Sequence, residues 1–149
     1  MNPVLSPENA FGLANGVALC CWIALVALPR RERVLGAIRW VVGALCIAYA
    51  ALIGAFFFSS DGGFSSLAAV QALFRSSEVA LAGWIHYLAF DLLIGLAVAS
   101  RCDRAGISRV LQAPVLVTIF ASGPIGVLLA AALLRRPPGS FAMESAAWR

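Results

Sequence analysis

The chain has no lysine and one histidine, and charged residues make up only 12% of its 149 positions. An ordinary soluble domain carries about 25% charged residues, and with 62% hydrophobic residues this composition excludes that class. A single histidine excludes, within one chain, the multi-histidine clusters of membrane di-iron hydroxylases and a bis-histidine haem. Cys20, Cys21, Cys46 and Cys102 follow no metal-ligand or redox spacing and read as small core hydrophobes. There is no glycine-rich phosphate loop and no nucleophile elbow. The eleven arginines lie mainly in short clusters between apolar runs, the pattern of membrane topology and of no nucleic-acid surface.

What is present is a set of apolar runs. They predict an all-α polytopic membrane protein, one domain over 1–149, with four transmembrane helices at about 10–28, 37–58, 78–99 and 110–134. Between the second and third, Phe64, Leu67, Val70 and Phe74 recur at helical spacing and predict a short amphipathic surface helix over about 64–75. A short tail, 135–149, follows Arg135-Arg136-Pro137-Pro138. Residues 1–8 carry no basic side chain, so the first run is expected to remain in the mature protein. Seven arginines, at 30, 31, 33, 39, 101, 104 and 109, fall on one side of such a bundle, and those at 75, 135, 136 and 149 on the other. The positive-inside bias then places both termini on the non-cytoplasmic side.

The third run holds the stretch around which the chain is organised, Gly83-Trp84-Ile85-His86-Tyr87-Leu88-Ala89-Phe90-Asp91-Leu92-Leu93-Ile94-Gly95. An ionisable group at mid-depth in lipid costs roughly 3 kcal/mol on insertion scales, which makes Asp91 and His86 functional candidates. At about 100° per residue, Gly83, Trp84, His86, Tyr87, Phe90 and Asp91 share one half of the helix. Leu81, Ile85, Leu88, Ala89, Leu92 and Leu96 fill the other, so the polar half is expected to face the bundle and the aliphatic half lipid. His86, Asp91 and Tyr87 are the candidates for proton chemistry. Trp84, Phe90, Asn15, Tyr49, Thr118 and Ser122 are candidates for binding substrate, with Asn15 expected to orient Asp91 from the first helix. A buried polar network that only pins helices together accounts for the same residues. Gly12, Gly16 and Cys20, and likewise Gly36, Gly43 and Gly54, form small-residue stripes suited to close helix packing. Pro114 and Ser122-Gly123-Pro124 are expected to bend the fourth helix, and Thr118, Ser122 and Gly126 to point toward the third.

The string from Gly83 to Gly95 resembles the signature of the abscisic-acid-deficient family of small integral membrane proteins, named for a plant mutant and neoxanthin synthase-like in its plant members. Asn15, Trp22, Pro29, Asp103, Gly106-Ile107, Pro114 and Gly123-Pro124-x-Gly126 agree with it along most of the chain. The resemblance implies action on a carotenoid or related polyisoprenoid ligand by an isomerase without cofactor or metal. In the plant reaction an acid works at an epoxide oxygen and a base takes a carbon-bound proton, roles open to Asp91 and His86. A non-catalytic carotenoid-binding or assembly subunit of a larger membrane complex, or a homo-oligomer, is the alternative, and a small transporter a more distant one. The arginine-only chain without a long presequence is expected in a bacterial inner membrane, among membrane lipid.

Overall fold

The computed structural model describes residues 6–135, all helix, turn and connector. Helix α1 (Pro7–Ala27) starts at Ser6, whose side chain accepts from the Asn9 N–H. Helix α2 (Glu32–Phe56) returns and ends in a 3₁₀ turn, Phe57–Ser59. The short α3 (Leu67–Leu73) lies in the connector, α4 (Ser77–Arg104) runs back, and α5 (Arg109–Ala121) and α6 (Gly123–Leu134) complete the chain. Three helices, α1, α2 and α4, are long and apolar enough to cross a membrane. The surface helix is shorter than the 64–75 anticipated. It is fixed by buried Leu73 and by Phe74, whose ring covers Gly83 so closely that a β-carbon there would lie 2.7 Å from it. Gly62, at φ +100, makes the turn that lets the Gly63 N–H donate to Ala69 O.

The fourth long span does not form as one helix. Its residues make two helices of 13 and 12 residues that break at Ser122, whose φ of −158 and ψ of 73 are not helical. Pro124 accounts for the interruption of a continuous helix: it has no N–H to offer the Phe120 carbonyl four residues back, and its ring would crowd that carbonyl. The two helices then fold back on each other. Leu111 and Pro114 of α5 line the same groove of about 320 Å³ as Leu129 and Leu133 of α6. In a continuous helix Leu111 and Leu133 would stand about 33 Å apart. Gly126 permits the fold, because a β-carbon there would run into the Ile119 backbone. Thr118 lies in the groove between α5 and α6, donating to Pro114 O at 2.8 Å, and does not point to α4.

Helix α4 is the central element, packed against α1, α2, α5 and α6. Its aliphatic half is the core: Leu81, Ile85, Leu88, Ala89, Leu92 and Leu96 are all buried. This overturns the expectation that the aliphatic half faces lipid, while Asp91 of the polar half is buried against the bundle as expected. Aliphatic side chains have no preference between a bundle core and lipid, so hydrophobicity alone could not place that face. The anticipated glycine stripes also lie open, with nothing within 4 Å of a β-carbon at Gly12, Gly16, Gly36, Gly43 or Gly54. The close approaches are at Gly83, Gly95, Gly123 and Gly126. At Gly95 the Trp22 ring of α1 fills the space a β-carbon would take, and Trp22 also packs on Phe120 of α5.

The hairpin is held at its open end by a polar lock. Arg30, with a side chain only 4% exposed, donates to Asp103 Oδ1 (2.8 Å), to Gln112 Oε1, and to the carbonyls of Leu25 and Ala99. Those carbonyls belong to the last turns of α1 and α4, where a cation is favoured. Gln112, fully buried, donates in turn to Asp103 Oδ1 and Ile107 O. The α4–α5 turn closes through αL Gly106, with Ile107 N–H donating to Cys102 O and Gly106 N–H to Asp103 O. Arg109 donates to Leu28 O. The lock therefore joins α1, α4 and α5 at one end of the bundle.

Two predictions follow from these contacts. Gly126→Ala lowers the unfolding free energy by about 1–3 kcal/mol through overpacking at the hairpin crossing, while Gly43→Ala is neutral or slightly stabilising, read as thermal unfolding in detergent. Gln112→Leu removes three hydrogen bonds, two of them to the buried Arg30 side chain and Ile107 O, and lowers stability by about 1–3 kcal/mol, checked in the same assay. Equal melting temperatures for Gly126→Ala and Gly43→Ala would contradict the crossing.

Candidate functional site

Asp91 sits midway along α4, thirteen residues before the helix end at Arg104. Its side chain is 7% exposed and Oδ2 is buried without a hydrogen-bond partner. The hairpin tip closes over it: a β-carbon on Gly123, the first residue of α6, would lie 2.5 Å from Asp91 Oδ1. Only glycine allows the backbone this near the carboxyl. The positive end of α6 thus adjoins the only carboxyl buried in the middle of α4.

Tyr87 stands beside Asp91, one turn up the helix, and its hydroxyl donates to Phe120 O at the end of α5 (3.5 Å). Trp84 follows, with ring centroids 5.5 Å from Tyr87 and 5.4 Å from Phe11 of α1. Its indole Nε1 donates to Asn15 Oδ1 at 3.1 Å, and Asn15 Nδ2 donates to Phe11 O. Asn15 therefore positions Trp84 and does not orient Asp91 as anticipated. A groove of about 390 Å³ continues from Trp84 up the seam of α1 and α4, lined by Pro7, Glu8, Phe11, Ser77, Ala80 and Leu81.

His86 belongs to another face. Its exposed ring stacks on Phe90 at 4.4 Å and lies 5.3 Å from the Tyr49 ring of α2. It makes no hydrogen bond or ion pair among the described residues. The nine candidates thus separate. Asp91, Tyr87, Trp84 and Asn15 gather where α4 meets α1 and the hairpin, and Ser122 forms the hairpin break beside them. His86, Phe90 and Tyr49 gather between α4 and α2, and Thr118 stays within the hairpin. Among the described residues no three histidine, cysteine or acidic side chains cluster to hold a metal.

Two partners escaped sequence reasoning. Gly123 was visible only as a helix breaker, because nothing in its identity says that it covers a carboxyl. Gln112 offered a fainter signal, a lone amide in an apolar helix three residues after an arginine, which needs buried partners.

No curated protein and no solved structure matches the chain. The model of one family, described as ABA DEFICIENT 4-like, matches residues 9–129, from the first turn of α1 into α6. That match covers the bundle, the central stretch and the hairpin tip together, and the chain belongs to the ABA DEFICIENT 4-like family.

Proposed function

We propose that this is an integral protein of a bacterial inner membrane that isomerises a carotenoid or related polyisoprenoid by acid/base chemistry. One observation carries the reading: a carboxyl at the midpoint of an apolar helix, buried, with Oδ2 unpaired and a phenol beside it. A carboxyl at mid-depth costs roughly 3 kcal/mol on insertion scales, which makes it a group that moves a proton or binds a polar atom. Asp91 is then the acid and Tyr87 the hydroxyl that passes or steadies its proton. His86 serves as base when a flat, extended substrate lies across Phe90. At about 100° per residue, Phe90 falls between His86 on one flank and Tyr87 on the other. An isomerisation needs one proton taken from carbon and one returned elsewhere, so the electron count of the substrate is unchanged. Trp84, held by Asn15, and Phe11 supply an aromatic wall suited to a polyene.

A second reading has its own support. His86 is stacked on Phe90 and makes no hydrogen bond or ion pair among the described residues, the arrangement of a stacking surface for a flat apolar ligand. On that reading the chain holds the pigment or joins a larger membrane complex.

Asp91→Asn separates the two, since it keeps shape and removes the proton. In a carotenoid-producing bacterium the unmodified chain yields an isomer that the variant makes at least about 10²-fold more slowly, resolved by chromatography of extracted pigment. Equal conversion by both proteins would overturn the acid role. Identical profiles with pigment copurifying on both would establish binding in place of catalysis.

A further inference from the structure

We propose that α5 and α6 form a re-entrant hairpin, entering and leaving the membrane at the arginine end, so that the chain crosses three times and its two ends lie on opposite faces. Neither helix is long enough alone: 13 and 12 residues reach about 20 and 18 Å, against a hydrocarbon core of about 30 Å. In series they would suffice, but the groove shared by Leu111 and Leu133 and the seating of Gly126 on Ile119 show that they run antiparallel. The direction of α5 is fixed at both ends by α4. Gln112 bonds Asp103 near the end of α4, while Phe120 receives Tyr87 and Gly123 meets Asp91 near its middle. Helix α6 then returns to the level at which α5 began.

Irregular backbone at mid-depth is tolerated only where protein satisfies or covers it, and part of this tip is held in that way. Ser122 N–H donates to Thr118 O at 2.7 Å, Gly126 N–H donates to Ser122 O, Pro124 has no N–H, and Gly123 is buried. The charge pattern agrees independently. In a four-span arrangement Arg135 and Arg136 oppose the basic side. With the hairpin, Arg135 joins Arg30, Arg31, Arg33, Arg39, Arg101, Arg104 and Arg109, and among the described residues Arg75 is the only arginine left at the other end. The positive-inside bias then reads without contradiction, with the arginine end cytoplasmic and the N-terminus outside.

A half-depth hairpin leaves the seam of α1 and α4 uncovered above its tip. The Phe11, Trp84 and Tyr87 ladder and the 390 Å³ groove lie there.

Paired reporters on the full chain test the topology, with a fluorescent protein active only in the cytoplasm and a phosphatase active only outside it. Each is placed at the C-terminus and, separately, inserted in the exposed α4–α5 turn at Ala105, so either location gives a positive signal. The hairpin predicts that both positions report the cytoplasm and that an N-terminal fusion reports the outside. A C-terminus on the face opposite Ala105 would overturn it. Pigment conversion plays no part in this readout, so its failure and that of the isomerase reading are distinguishable.

Discussion

The arrangement depends on the contact between the Asp91 carboxyl and the backbone of Gly123. A carboxyl in the middle of the longest apolar helix is costly unless something polar meets it, and what meets it is the broken end of another helix. Breaking that helix exposes backbone donors that would themselves be costly away from a partner. Oδ2 nevertheless stays without a hydrogen-bond partner, and glycine stands at 123 because a side chain there would collide with the carboxyl. Arg30, Gln112 and Asp103 secure the opposite end, so α5 is tied to α4 at both extremities.

Much of this was legible in the residues. The helical class and the approximate positions of α1, α2 and α4 follow from hydropathy, with the start of α2 and the end of α4 each five residues beyond the expected bound. Asp91 and Tyr87 meet the fourth segment, and Trp84 meets the first helix, as the wheel geometry suggested. The outward face of α4 was not legible, since in lipid leucine signals neither core nor surface. Nor was the hairpin. Ser122-Gly123-Pro124 announces a bend, but the angle of a bend is set by what packs across it, here Gly126 on Ile119 and Gly123 on Asp91. The glycine stripes misled for a related reason: a small residue permits close approach and does not say whether a partner is present.

The division of the candidates between two faces of α4 shapes any chemistry the protein performs. Asp91 and Tyr87 form one unit because they are four residues apart and share the hairpin as a neighbour. His86, five residues from Asp91, turns toward α2, where its exposed ring packs on Tyr49 of that helix and on Phe90 of its own. A substrate touching both groups must lie across α4 instead of filling a closed cavity, which suits a long apolar molecule already dissolved in the bilayer. On the reading proposed above, catalysis and simple binding would share that surface, and Asp91→Asn distinguishes them.

The most direct test of the hairpin is a distance across it. Spin labels placed at Leu111 and Leu133, in a chain whose four native cysteines are replaced, give by pulsed electron resonance a separation that reports the fold of this segment. The account predicts a short distance, with both labels beside one groove. A separation near 33 Å, the span of a continuous helix between those positions, would contradict it and restore a fourth crossing.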